Sequence, residues 1–583
     1  MFVQTILLIL LPLVISYFIN RIRYSRFQKY ADWPQLPPSL IWGHMKALHE
    51  FIARGEEKRH IDIVFQEIQE HLGNPPLVLY DLRPVEFRLC VVGSHEVAEQ
   101  IARSSKSFPY SMKKSPTMGA LEPLLGPYSI ITQQGEHWKG LRKRFNPGFA
   151  PQHLVTLLPC ILDKAIQFTD ILDGYARSGE ELSLDERCVS LTFDIIGRPH
   201  IHFKWLAFCS NKPPGAVTMD KDFHAQLDRS KQDELVRLYR ELTTTYRRGS
   251  SVQWDWLDPR MNWRRRTLSR RIDHLIAEHI KTKFAELKSK STEKRSRSVL
   301  SLSLQDIDQL NPLVIQETCD QLKSFLFAGH DTTSVVLQWT FYILSRTPRV
   351  LDKVRRELDD LFGPDPSPAA VQEKLLAPGG EELLQRMSYT SAVIKEILRL
   401  YPPSGSARYM PPGSGFNVQL PDGKTLCLDG VVIYLNATLV HREEKVYGPT
   451  KDEFIPERWL GNTDTGLGLI PDGAENQGDG DGSVASAHVP ASAWRPFERG
   501  PRNCIGQELA NLEARVILAC TVRRFDFEKV GVGALARDAT GAPILDAAKG
   551  QYEVETELFN TMQVTAKPID GTVVKVHLAE RAT

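Results

Sequence analysis

The first pattern along the chain is an unbroken apolar one. Phe2 to Ile19 (FVQTILLILLPLVISYFI) is a run of about eighteen residues without a charge, just long enough to span a bilayer as a helix. Pro12 lies inside it, and such helices tolerate a proline where its freed carbonyl finds another donor. Arg21, Arg23, Arg26 and Lys29 follow at once. Basic residues stay on the cytosolic side, so this order predicts an anchor with everything after it in the cytosol. A cleaved secretory signal would carry basic residues first and small residues last, the reverse of what stands here. The predicted organisation therefore begins with an uncleaved transmembrane helix over residues 1–20.

Next, WPQLPPS brings Pro34, Pro37 and Pro38 together, and residues 21–45 read as a basic, Pro-rich linker stiffened by those rings. From 46 to 583, apolar residues recur at helical spacing in long segments. Examples are CDQLKSFLFAGHDTTSVVLQWTFYILS, VLDKVRRELDDLF, TSAVIKEILRLY and GQELANLEARVILACTVRRF. Short β-like runs interrupt them: PLVLYDL, RLCVVG, TLCLDGVVIYL and VTAKPIDGTVVKV. No fixed-period repeat is visible. The pattern predicts an α+β, mostly helical, single domain with strands gathered near both ends. Residues 461–493 stand apart, with seven glycines, four aspartates and no lysine or arginine; this Gly/Asp-rich stretch predicts a solvated loop insertion. Its GDGDGS run lacks the alternating ligands and terminal Glu of a calcium loop.

Composition changes this picture little. The balance of 72 basic against 71 acidic side chains provides no global field for nucleic acid. The eight cysteines (Cys90, Cys160, Cys188, Cys209, Cys319, Cys427, Cys504 and Cys520) include no CxxC pair, which argues against a zinc knuckle. Their irregular spacing predicts reduced thiols in a cytosol-facing protein, most of them buried as small hydrophobes. The sequon Asn436-Ala437-Thr438 is then a chance match, because the cytosol does not glycosylate it.

One cysteine stands in different company. In WRPFERGPRNCIGQELA, Cys504 sits between arginines and glycines where an extended loop turns into a helix beginning near Ile505. Free N–H groups and the helix dipole there stabilise a thiolate. Gly500 and Gly506 would let a flat ligand approach the backbone, and Arg502 offers a fixed cation for a carboxylate. Three readings compete: core thiol, nucleophile, metal ligand. A nucleophile wants a histidine base, and none is near in sequence. A thiolate ligand for haem iron uses every feature of the segment.

Phe497, Gly500, Arg502, Cys504 and Gly506 then reproduce the FxxGxRxCxG signature of the cytochromes P450, a pattern expected by chance in on the order of one chain in ten thousand of this length. Other segments resemble the family in its order. KEILRLYPP supplies the ExxR pair, Glu396 and Arg399, and FIPERWL supplies Arg458; the resemblance makes these three a structural network under the cysteine loop. ExxR also occurs at Glu56…Arg59 and Glu234…Arg237, taken here as surface pairs, so the following LRLYPP selects Glu396. FAGHDTTS resembles the oxygen-activation helix. There Gly329 would permit a local opening, and the resemblance gives Asp331 and Thr332 the proton relay; the competing structural reading is a kink with Thr332 bonding back to the preceding turn. HWKGLRKRF matches the WxxxR helix, so Trp138 and Arg142 are implied haem propionate donors, with Arg408 in SARYMPP as a further one. Lys139, Lys143 and Arg144 on that helix would form a basic face for an acidic electron donor.

The resemblance implies haem b (iron protoporphyrin IX) held by Cys504 and a monooxygenase that inserts one atom of O2 into a hydrophobic small molecule by hydroxylation or epoxidation. Electrons are implied to come from NADPH through a separate cytochrome P450 reductase, with or without cytochrome b5. The expected location is the endoplasmic reticulum membrane, single-pass. The WRPFERGPRNCIGQELA and AKPIDGTVVKV segments resemble fungal microsomal enzymes of secondary metabolism, which act on polyketides and terpenoids. Two alternatives stay open: an isomerase or dehydratase of the same fold working without O2, and a fatty-acid or xenobiotic hydroxylase. The expected substrate walls are Phe108–Ile131, Phe325–Thr333, the stretch after Pro403 and ELFNTM near Leu558, mostly apolar.

Overall fold

The computed structural model describes residues 2–56, 58–201, 229–246, 258–289, 298–460, 489–561 and 563–580. Most of the 461–493 insertion lies outside the described residues. The helices that matter below are α1 (Phe2–Arg23), α2 (Gly135–Phe145), α3 (Leu184–Ile201), α4 (Pro259–Ser289), α5 (Pro312–Arg346), α6 (Ser388–Leu400) and α7 (Gln507–Thr521). The strands are β1 (Leu77–Asp81), β2 (Arg88–Val92), β3 (Leu182–Ser183), β4 (Ser406–Tyr409), β5 (Val432–Leu435), β6 (Phe525–Lys529), β7 (Asn560–Thr561), β8 (Lys567–Pro568) and β9 (Val573–Leu578). The chain divides into two compact units, one of residues 1–116, 405–448 and 492–502 and one of residues 117–404, 449–491 and 503–583.

The first unit is built on a sheet of order β1-β2-β5-β4. Leu77 pairs antiparallel with Val92, Leu89 runs parallel to Val432, and Ser406 closes antiparallel on Leu435. Successive residues of a strand face opposite sides, and both sides of this sheet are covered. Leu77, Leu79, Cys90 and Val92 join Val97 and Ile101 on one face. Val78, Tyr80 and Val91 join Phe65 and Ile68 on the other. This is why PLVLYDL reads as a continuous apolar run instead of an alternating one. TLCLDGVVIYL breaks into two strands because Gly430 turns the chain at φ +73°.

The helix α1 passes through Pro12 without interruption. Its described side chains from Leu10 onward are exposed, including Leu11, Leu13, Tyr17 and Phe18. Among the described residues no helix is long and apolar enough to cross a membrane, so the span expected over residues 1–20 is not shown. The stretch after α1 is packed: Tyr30, Trp33 and Leu36 are buried in the two sheet clusters, and Arg26 is buried in an ion pair with Asp81 at 2.6 Å. The sequon residue Asn436 is wholly buried and caps a helix by accepting from Leu439 N at 3.2 Å. That burial is a second reason for it to remain unmodified.

The second unit is organised around α5, 35 residues long. Asn311 caps it by accepting from Val314 N at 2.9 Å and Pro312 occupies the first turn, the favoured start for a helix. It packs against α3, α4, α6 and α7. The strands β3, β9 and β6 form a small antiparallel sheet beside these helices, and the short pair β7–β8 lies against α5. The helix shows no break at Gly329. A Cβ there would stand 2.7 Å from Ile196 of α3, so this glycine serves close helix packing and not the local opening expected from sequence.

Candidate functional site

Cys504 lies between a single tight turn, Gly500–Arg502, and α7, whose N-cap is Gly506. It is exposed, whereas Cys90, Cys188, Cys319 and Cys520 are buried and burial pushes all four thiols up. Exposure removes the core-thiol reading for Cys504. Beside it, Arg142 of α2 donates from Nη1 to the carbonyl of Asn503 at 2.7 Å and from Nη2 to Asn503 Oδ1 at 3.0 Å. Burial pushes the Arg142 guanidinium down while the Cys504 sulfur works the other way. Trp138, one turn earlier in α2, is buried.

The two glycines of the loop do different jobs. At Gly506 a Cβ would come within 4 Å of one atom only, the Cys504 sulfur at 3.9 Å, which leaves that side open. At Gly500 the backbone sits at φ +72° and a Cβ would strike the Ala102 carbonyl at 2.1 Å. Gly500 is therefore needed for the turn and its packing; the idea that it clears room for a flat ligand is corrected. In the first unit, Phe497 is half-buried against Trp494 and Arg502 is buried. Arg408 of β4 is entirely buried, donating to Met112 O at 3.2 Å and reaching Glu498 at 3.5 Å, while its Nε has no partner.

Glu396, Arg399 and Arg458 are drawn together. Glu396 Oε1 accepts from Arg399 Nη2 at 2.8 Å, Arg458 Nε at 2.9 Å and Ile455 N at 3.0 Å. Its Oε2 accepts from Arg399 Nε and Trp459 Nε1, each at 2.9 Å. Arg399 also donates to the carbonyls of Lys451 and Glu453, pinning the segment that carries Arg458. The other two ExxR matches are not pairs at all: Arg59 binds Glu67 and Glu234 binds Arg271.

On α5, Asp331 is buried, paired with Lys567 of β8 at 2.7 Å and accepting a hydrogen bond from the Thr565 hydroxyl. Burial alone would raise its carboxyl; Lys567, His330 and Thr565 outweigh that and hold it below the usual carboxylate range. The Thr332 hydroxyl donates to Ala328 O at 2.7 Å, the back-bond of the structural reading, in a helix without a kink. Its lone pairs are still acceptors.

The cytochrome P450 family profile matches residues 34–541. The monooxygenase acrF of Aspergillus aculeatus is 31% identical over 509 residues, covering 86% of this chain and 94% of its own. The monooxygenase polC of Polytolypa hystricis is 27% identical over 508 residues, 86% of this chain and 83% of that one. Human cytochrome P450 4V2 is 27% identical over 529 residues, 86% and 87% respectively. The chain belongs to the cytochrome P450 family.

Its enzyme class is monooxygenase, and P450 membership implies haem-thiolate iron. The residues present fit that group. An exposed thiol stands at the start of α7 with open space over Gly506, and the Arg142 guanidinium holds the neighbouring Asn503 by its carbonyl and its side-chain amide. Among the described residues no cluster of His, Cys, Asp and Glu could hold an ion by itself. On the WxxxR helix of this P450, Lys139 and Lys143 are exposed. Arg144 is not part of that face: it donates to Ser303 O at 3.0 Å and to Thr318 Oγ1 and meets Glu317 at 3.4 Å.

Sequence reasoning missed the polar clamp in the first half of α5. Asp320 Oδ2 accepts from Tyr128 N at 2.8 Å, Gln321 Oε1 accepts from Ile130 N at 2.7 Å, and Ser324 Oγ meets Ser129 Oγ at 2.7 Å. These contacts hold the Gly126–Ile130 segment of the expected substrate wall against the helix. The signal was present in CDQLKSF: four polar side chains within a buried helix must each find a partner. Lys567 and Thr565 were missed too, because nothing in AKPIDG marks a lysine that folds back on a residue 236 positions earlier.

Proposed function

We propose that this P450 is a membrane-anchored haem-thiolate monooxygenase that inserts one atom of O2 into a hydrophobic small molecule, with electrons from NADPH delivered by a separate reductase. The observation that carries the reading is the exposed Cys504 at the N-terminus of α7, where helix donors favour its thiolate. Cys504 would ligate the iron with Gly506 beside the sulfur, and Trp138 and Arg142 would take the propionates; the family resemblance adds Phe497, Arg408 and Arg502 to the haem-binding residues. When bound, the group supplies oxygen activation, which thiolate donation favours. The chain's own part is electrostatic and positional. Arg142 fixes Asn503 next to the sulfur, Glu396 fixes the Arg458 segment, and Asp331 with Thr332 holds and moves protons. Exposed Lys139 and Lys143 support docking of an acidic reductase.

The fungal origin of acrF and polC supports a place in fungal secondary metabolism, on a polyketide or terpenoid, with the enzyme on the endoplasmic reticulum and facing the cytosol. Two measurements test this. Oxygen uptake by the haem-loaded chain is expected to require both NADPH and reductase; uptake without either, or none with both, sinks the monooxygenase cycle. Comparing metabolites of a fungal host with and without the gene is expected to reveal an accumulating hydrophobic precursor.

The anchor rests on the apolar run and on the exposed side chains of α1. Deleting residues 1–20 is expected to move the protein from the microsomal pellet to the supernatant in low salt while the ferrous–carbonyl band persists. Continued sedimentation would show that other surfaces hold it to the membrane.

A further inference from the structure

We propose that Lys567 is a positioning residue that links Asp331 to solvent through Asp185, forming the proton supply line of this enzyme. The inference rests on the reading of Asp331 as proton carrier and adds two residues that neither the family resemblance nor the comparisons assign.

Three observations place the line within one unit. Lys567 Nζ is 2.7 Å from Asp331 Oδ1 and donates to Asp185 Oδ1 at 3.1 Å, so one buried ammonium bridges two carboxylates. The far end is wetter: the Lys567 side chain is 4% exposed and that of Asp185 is 16% exposed. Both ends are fixed. Thr565 donates to the second oxygen of Asp331, and Gln338 donates to Asp185 at 3.2 Å while accepting from Thr572 at 3.0 Å.

A buried salt bridge adds little net stability over an apolar pair of the same shape, so stability alone is a weak reason for this arrangement. Chemistry gives a stronger one. Asp331 with both oxygens engaged is a carboxylate, and a carboxylate has no proton to give. Lys567 carries one. Transfer from Nζ to Oδ1 breaks an N–H bond and forms an O–H bond, converting the ion pair into neutral amine and acid. The contacts that hold Asp331 below the usual carboxylate range make this exchange uphill at rest, so the neutral pair is transient and is drawn on as the proton leaves Asp331. The acid passes its proton inward toward Thr332, and the amine regains one from water at Asp185. Each pass of this relay moves one proton inward, and nothing in it is oxidised or reduced. His330 also faces this group, its Nε2 4.0 Å from Asp331 Oδ1, but its Nδ1 is committed to Leu326 O at 2.6 Å and aromatic rings of Phe193, Tyr239 and Phe327 surround it. The line that reaches water runs through Lys567.

Lys567→Arg separates supply from structure. A guanidinium keeps the ion pair but does not deprotonate in proteins. In the haem-loaded full chain with reductase, NADPH-driven oxygen consumption is expected to fall roughly a hundredfold, the lower end of what positioned proton transfer contributes, with a larger solvent deuterium isotope effect. Asp185→Asn is expected to act the same way more mildly. The infrared spectrum of the full chain gives a readout independent of turnover. Asp331 is ionised in the wild type and in Lys567→Arg, whereas Lys567→Met brings up a protonated carboxyl band that a further Asp331→Asn removes. If Lys567→Arg and Asp185→Asn consume oxygen as the wild type does while Asp331→Asn is slow, the supply line is wrong and Asp331 keeps its role. If Asp331→Asn itself behaves as wild type, the underlying reading fails instead. Should Lys567→Arg misfold, Asp185→Asn at the solvent end decides the question.

Discussion

Serine in place of Cys504 is expected to abolish the thiolate-type ferrous–carbonyl band of the loaded protein and to lower turnover by on the order of a thousandfold, about 4 kcal/mol of barrier. The substitution exchanges one atom and little volume. The side chain is exposed, so no cavity opens and the unfolding free energy of the haem-free chain should change by less than about 0.5 kcal/mol. What changes is the ligand. A thiol at a helix N-terminus with backbone donors ionises readily, whereas the serine hydroxyl stays neutral and gives the iron a weak donor. A spectrum that stays the same after the exchange would remove the haem-thiolate reading altogether. The protein without haem offers a second check. Alkylation should reach Cys504 and Cys427, the two exposed thiols among the described residues, and haem loading should protect Cys504 alone.

The features legible in advance were those written in local sequence. Apolar runs located β1 and β2 because both faces of the first sheet are covered and the run is continuous, whereas β9 alternates, with Val574 and Val576 buried. Helical spacing located α5, α6 and α7 for the complementary reason. The cysteine loop was legible because its residue types are constrained by backbone shape as well as by chemistry; Gly500 shows that the same letter can be required by a turn. Long-range pairing was not legible. Three ExxR matches look alike along the chain, and only the fold decides that Arg399 turns to Glu396 while Arg59 and Glu234 turn elsewhere. Arg144 reads as a member of an exposed basic face until the helix brings it against Glu317. Lys567 belongs to the same class: a charge in a strand-like segment says nothing about which carboxylate it will meet.

Glu396→Gln is expected to destabilise the second unit by about 3–5 kcal/mol, the usual effect of breaking a buried ion pair from one side. Five donors converge on the two carboxylate oxygens, and Glu396 and Arg399 are fully buried. An amide of the same shape turns one acceptor into a donor pointed at other donors, and it leaves two guanidinium groups without their counter-charge. The check is a urea unfolding curve followed by a probe in the second unit, since one transition need not describe two units. Arg399→Met should cost a similar amount, and the double substitution should cost clearly less than the sum, because the residues act as one network. Glu234→Gln, on an exposed pair, is the matched control and should change stability by less than about 1 kcal/mol. Haem retention is expected to track the loss at Glu396, since Arg399 and Arg458 pin the Thr450–Ile455 stretch through its backbone carbonyls. A Glu396→Gln protein with an unaltered midpoint and full haem content would mean that the five hydrogen bonds are replaceable and that the network has no structural role.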